Sequence, residues 1–126
     1  MASADMPGPT AIRAAEWMRP GPLWRGRLEG DTLGTNVSVI FFSTVEMGAG
    51  PVLHTHPYDE VFIVREGHAL FTIGDDQLTA EAGDILMGPA NVPHKFENLG
   101  PGRLSTTDIH LSDRIIQTDL EEAGPA

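Results

Sequence analysis

The chain is 126 residues long, 40% hydrophobic and 21% charged, which predicts one globular domain long enough to bury a core and does not fit a disordered protein. It holds no cysteine, so disulfides, thiolate nucleophiles, iron–sulfur clusters and cysteine zinc sites are excluded. Acidic residues number 18 and basic residues 8, for a formal net charge of −10; with the cations scattered, neither nucleic acid nor an anionic membrane is an expected partner.

The opening MASADMPGPT has no basic stretch followed by an apolar one, so no secretory signal is expected. The apolar runs are too short to cross a bilayer, and the cytoplasm is the expected address. Residues 1–9 are small, polar and Pro-rich and are expected to be flexible. Residues 10–122 are expected to form the single domain and 123–126 to fray. Thr10 to Trp17 fits either a short helix or an extended lead-in.

Short apolar runs follow at Val37 to Val45, Glu60 to Val64, Ala69 to Ile73 and Asp84 to Met87. Turn signals separate them: Gly48-Ala-Gly-Pro51, Glu66-Gly67, Gly74-Asp-Asp76, Ala82-Gly-Asp84 and Gly100-Pro-Gly102. Strands broken by turns about every ten residues predict an all-β sandwich or barrel. No alternation of strand and helix argues for a parallel sheet. Thr107-Asp-Ile-His110 reads as the last strand, and Ser112 is placed to cap a short C-terminal helix carrying Ile115, Ile116 and Leu120.

Five histidines punctuate this pattern. His54 and His56 are two apart, so on a strand they share a face. Glu60 has the same parity and joins them if the intervening Pro-Tyr-Asp keeps register. Two imidazoles and a carboxylate suit a divalent first-row ion. A lone histidine near a turn is usually just solvated or hydrogen-bonded. This group stands at fixed distances from Gly48 and Gly67, which a casual surface patch has no reason to do. No serine sits in a G-x-S-x-G elbow, and there is no phosphate-binding glycine loop.

Gly48, His54, His56, Glu60 and Gly67 reproduce the first motif of the cupins, which the chain resembles. Gly83, Pro89, His94 and Asn98 follow the second motif, with Asn91 where that family has glycine. Asparagine is the residue that next best tolerates a left-handed backbone. The two motifs span residues 48–98, about two-fifths of the chain, and a paired match of this kind is far more specific than a lone short pattern.

The resemblance implies a cupin-type double-stranded β-helix, or jelly-roll barrel, with short terminal extensions. It implies one divalent transition-metal ion (Fe, Mn, Ni, Cu, Co or Zn) held in the mouth by His54, His56, Glu60 and His94. Four donors leave about two positions open on a six-coordinate ion. Three neutral imidazoles and one carboxylate leave a net charge near +1, which favours a small anionic substrate. A homodimer is expected by analogy with related cupins.

Val52, Phe62 and Val64 share the ligands' parity, and Phe96 shares that of His94. Core packing accounts for all four, with Phe62 and Phe96 also bounding the pocket. His110 either faces the pocket as a base or hydrogen bonder beside the ligands or sits exposed at the barrel edge. Tyr58 and Asp59, in the loop between ligands, are expected to be exposed. Three functions fit: a dioxygenase-type oxidoreductase acting on an enol or enolate, placed first; a non-redox isomerase or lyase acting on a carbonyl or sugar-acid substrate; and a non-catalytic binding or sensing module.

Overall fold

The computed structural model describes residues 6–122; the segment expected to fray, 123–126, and the first five residues of the segment expected to be flexible lie outside them. In chain order the elements are α1 (Ala14–Trp17), β1 (Gly26–Leu28), α2 (Gly30–Leu33), β2 (Ser38–Thr44), β3 (His54–Thr55), β4 (Glu60–Glu66), β5 (His68–Ile73), β6 (Asp76–Glu81), β7 (Ile85–Gly88), β8 (His94–Asn98), β9 (Leu104–His110) and β10 (Thr118–Asp119). They form two five-stranded antiparallel sheets, ordered β1-β2-β9-β4-β7 and β10-β3-β8-β5-β6. This is the double-stranded β-helix expected from the paired motifs.

Alternation along each strand decides what the barrel encloses. On β9 the buried residues are Leu104, Thr106, Asp108 and His110, with half-buried ones between. On β4 they are Glu60, Phe62 and Val64, and on β8 His94, Phe96 and Asn98. A slip of one residue would turn every one of these outward, so the register is strongly specified. Phe62, Val64 and Leu104 of one sheet meet Ala69, Phe71, Ala80 and Phe96 of the other in one cluster. Its aromatic rings pack edge-on or stacked, Phe62 on Phe71 with centroids 5.1 Å apart and Phe71 on Phe96 at 5.0 Å.

Turn chemistry fixes where the strands reverse. Gly67 joins β4 to β5 at φ 90°, where an added Cβ would lie 2.2 Å from the Arg103 carbonyl oxygen; only glycine fits that approach. Asn91 takes φ 64°, the left-handed conformation expected of it. Its backbone N–H donates to the His56 carbonyl at 2.7 Å, which ties the second motif to the first.

The two ends fare differently against expectation. Helix in the Thr10–Trp17 region is the single turn α1. Its Trp17 packs on Phe41 of β2 with centroids 4.5 Å apart. The expected C-terminal helix does not form. Residues 111–117 instead cross between the sheets as bends and end in β10, which pairs with β3. The backbone groups a helix would use internally are taken by the barrel: Ser38 donates to the Ser112 carbonyl, and the Ile115 N–H donates to Glu29. Each of these bonds is already satisfied without a helical turn, so nothing drives one.

No helix among the described residues is long and apolar enough to cross a membrane.

Candidate metal centre

Cross-strand register brings the chemistry-bearing side chains together. His54 of β3 stands opposite His94 of β8 in one sheet. Glu60 of β4 stands opposite His110 of β9 in the other. His56, just beyond β3, completes the group from the loop. Ligand atoms from His54, His56, Glu60 and His94 lie within 4.8 Å of one another. All four residues are buried, none more than 5% exposed.

The outer ring nitrogens are each held by backbone. Nδ1 of His54 faces the Val52 carbonyl, that of His56 the Ile116 carbonyl at 2.7 Å, and that of His94 the Val92 carbonyl at 3.3 Å. A carbonyl only accepts, so each neutral ring carries its proton on Nδ1 and turns an Nε2 lone pair inward. Glu60 Oε1 then lies 3.0 Å from His56 Nε2 and 3.1 Å from His94 Nε2. His56 Nε2 has no hydrogen-bond partner although fully buried. Two acceptors at that separation repel each other unless a cation or proton lies between them. Ligands about 2.0–2.2 Å from an ion and at right angles to one another are about 3 Å apart. The donor set therefore fits a divalent transition ion, as three imidazoles and one carboxylate should.

Electrostatics agree. Burial of the His54 ring lowers its proton affinity, with His94 and His56 adding to the effect against its Val52 bond, so it stays neutral. Burial alone would raise the Glu60 carboxyl, but contacts with His110, His56 and His94 outweigh it and hold it far below the usual carboxylate range. Glu60 is thus ionised and available as a ligand.

Backbone shape matters on the floor of the site. A Cβ added at Gly88 would lie 3.2 Å from the Phe62 ring and 3.3 Å from His94 Nδ1, so the glycine lets β7 pass close beneath a ligand. The Phe62 ring lies against His94 at 5.3 Å between centroids.

Phe62 alone of the four expected lining residues touches a ligand ring in this way. Phe96 and Val64 sit deeper, in the apolar cluster. Val52 is half-buried and lines a separate outward groove with Gly50, Leu70 and Lys95; its contribution is the carbonyl that holds His54. Asn98 braces backbone at the far end of β8, through the Glu46 and Gly102 carbonyls and the Gly100 N–H.

Of the two alternatives for His110, the inward one holds. It is buried, with Nε2 3.3 Å from Glu60 Oε2. Tyr58, expected to be exposed, is half-buried. Its ring stacks on His56 with centroids 5.0 Å apart and 12° between planes, and its hydroxyl lies 2.7 Å from His110 Nδ1. Asp59 is exposed, as expected. Asp108 went unread in the sequence. It is buried below Glu60, and desolvation, reinforced by the Glu60 charge, pushes its carboxyl well above the usual range. Its parity with His110 on β9 was the signal that could have found it. Tyr58 had no such signal, because its partner Ile116 is 58 residues away.

Comparison with known proteins places these residues in context. Residues 41–110 match the sequence model described as Cupin domain. An uncharacterized protein of Methanocaldococcus jannaschii is 33% identical over 57 residues, 44% of this chain and 46% of that protein. Acireductone dioxygenase 1 of Pectobacterium atrosepticum is 56% identical over 48 residues, 35% of this chain and 28% of that protein. The chain thus spans less than half the length of the curated relatives it matches.

Among solved structures, an oxalate decarboxylase of Bacillus subtilis superposes with a TM-score of 0.70 at 21% identity, over 83% of this chain and 30% of that one. A double-stranded β-helix protein of Klebsiella pneumoniae superposes at 0.68 and 21% identity, over 89% and 97%. The dioxygenase expectation is corrected by these likenesses. The superposing enzyme that recurs is a decarboxylase, matched over 75–83% of this chain, while the dioxygenase likeness covers only 35% of this chain. The oxidoreductase class falls with it, and the expected homodimer and cytoplasmic address find no support in these likenesses.

Proposed function

The chain belongs to the cupin family, and on that premise we propose that it is a metalloenzyme of the lyase type, cleaving a small organic acid or carbonyl substrate in the manner of a decarboxylation. His54, His56, Glu60 and His94 hold one divalent transition-metal ion. The observation that carries this reading is the buried, unpartnered His56 Nε2 set 3.0 Å from the ionised Glu60 carboxylate, a pair that calls for a cation or a proton between its atoms and that two further imidazoles surround. The recurrent fold likeness to a decarboxylase supports the reaction class.

An ion held by His54, His56, Glu60 and His94 would supply Lewis-acid charge toward a substrate carboxylate or carbonyl oxygen. The chain's own residues do the rest. Three neutral imidazoles and a single carboxylate would leave a divalent ion with a net charge near +1, which selects an anionic substrate. Glu60 keeps its negative charge because His110, His56 and His94 surround it. Phe62 closes the floor and keeps water from the buried side. His110 contacts Glu60, and its effect on the reaction is exerted through that carboxylate.

The test is elemental analysis of the purified protein followed by assay for released carbon dioxide from a panel of small dicarboxylic and 2-oxo acids. Mn, Fe, Co, Ni and Zn forms are each assayed. One ion per chain and release from at least one acid are expected. A protein that takes up an ion but releases no carbon dioxide in any form would overturn the lyase reading.

A further inference from the structure

The hydrogen bonds around Tyr58 are over-determined in a way the four-ligand reading leaves unused. A tyrosine hydroxyl has one proton to give and two lone pairs with which to accept. One lone pair accepts from the Ile116 N–H at 3.2 Å. His56 Nδ1, also 3.2 Å away, holds the shorter 2.7 Å bond to the Ile116 carbonyl. That carbonyl must receive a proton, so His56 Nδ1 is a donor and cannot accept from Tyr58. The remaining neighbour is His110 Nδ1 at 2.7 Å, and the hydroxyl proton goes there.

This assignment propagates. With Nδ1 accepting, a neutral His110 carries its own proton on Nε2, which faces Glu60 Oε2 at 3.3 Å. The other tautomer would set an imidazole lone pair against a carboxylate oxygen. The Nε2–H biases Oε2 toward His110 by a 3.3 Å electrostatic contact rather than a full hydrogen bond, and Oε1 is left on the side of His56 and His94 Nε2, 3.0 and 3.1 Å away. We propose that Tyr58 is a positioning residue: through His110 it selects the Glu60 oxygen presented to the metal, and through Ile116 it ties the segment between β9 and β10 to the site. The proposal rests on the four-ligand reading above and adds to it a residue outside the two motifs' ligand positions.

Tyr58→Phe keeps the ring that stacks on His56 and deletes only the hydroxyl. The primary measurement needs no metal. The imidazole ¹⁵N shifts of His110 in the metal-free protein are expected to report the Nε2–H tautomer, and those of Y58F a mixed or Nδ1–H state. An Nδ1–H tautomer in the unaltered protein, or no change in Y58F, overturns the relay.

The second measurement is a Co(II) titration followed by visible absorption. Y58F is expected to bind about 10–100-fold more weakly, the usual cost of losing a partner behind a ligand, with a changed ligand-field spectrum. His110→Gln restores an amide donor toward Glu60 that does not depend on tautomer. In that background Y58F should change Co(II) affinity less than about twofold. An undiminished loss there would show that Tyr58 acts through His56 alone and would overturn the relay. Failure of the unaltered protein to bind Co(II) would instead sink the four-ligand reading, while the ¹⁵N result would still decide the relay.

Discussion

The barrel interior has two ends built from the same strands at the same alternation, and they differ in how their polar groups are satisfied. At the deep end Phe71, Phe96, Val64 and Leu104 fill the space, and the buried amide of Asn98 is bonded to two carbonyls and an N–H. At the mouth the same strands present His94, Glu60 and His110, and here His56 Nε2 lacks a hydrogen-bond partner and His110 Nε2 has only its 3.3 Å contact with Glu60 Oε2. Asp108 Oδ1 and Thr106 Oγ1 share that condition partway down β9. A fold that completes its hydrogen bonds at one end and leaves them open at the other is complete as a scaffold at the first and awaits a ligand at the second. Stability should therefore reside in the deep end and function in the mouth, and substitutions can be chosen to separate them.

The largest effect is expected from Phe71→Ala. Phe71 is wholly buried and touches both Phe62 and Phe96. Removing a ring from such a site costs about 3–5 kcal/mol, a large part of the roughly 5–15 kcal/mol that holds a domain together. Urea denaturation of the metal-free protein measures it. A small loss of stability with abolished metal uptake would break the division between the ends.

His94→Ala is the counterpart at the mouth. The metal-free barrel should stay folded, since apolar burial at the other end supplies most of its stability, while the added stability that metal confers disappears. With ion at a hundredfold excess over its dissociation constant that contribution is about 2.7 kcal/mol. Thermal melts with and without metal measure it, and the same holds for His54→Ala. If these variants keep their full metal content, the mouth is not the metal centre.

How much of this was legible in the sequence follows from the range of the interactions involved. The strands and the inward face of β4 and β8 show in period-two alternation, and His54, His56, Glu60 and His94 show in the spacing of two motifs, because turns and ladders are short-range. The course of residues 111–117 did not show. Ser112 and the apolar Ile115 and Ile116 suit a helix locally, but bonds to Ser38, Glu29 and Tyr58 decide the matter from far along the chain. The same long-range wrap shelters Tyr58, which its own loop would leave in water. Asp108 is a different case: it shares a face with His110 two residues on, and alternation alone placed it inside the barrel.

Asp108 offers a smaller test, from the middle of the interior. Its carboxyl holds its proton to higher pH in the fold than in the unfolded chain, because it is desolvated and faces the Glu60 charge. Below the ordinary aspartate range both states are protonated, and Asp108→Asn should change little. Above that range the unfolded chain alone sheds the proton, so the unaltered protein loses stability that the Asn variant keeps. The variant should gain stability at neutral pH, with the gain vanishing as pH falls. A gain independent of pH would show that packing, not ionisation, is responsible. Glu60 has the opposite sign: its depressed carboxyl contributes stability that is lost as pH falls through and below the ordinary carboxylate range.

Asn91 should respond least, although it lies between the two motif histidines it helps to connect. Its left-handed backbone, φ 64°, favours glycine, while glycine's greater freedom in the unfolded chain works against the exchange. Its side chain is exposed and its bond to the His56 carbonyl is made by backbone, which Asn91→Gly retains. The two opposing terms should leave the variant within about 0.5 kcal/mol of the unaltered protein, on the stable side if backbone strain is the larger. Urea denaturation compared with Co(II) affinity separates the cases. An unchanged denaturation midpoint with weakened Co(II) binding would mean that the turn sets the position of His56 more finely than its stability reveals, and would extend the mouth's machinery from side chains into the backbone that joins the two motifs.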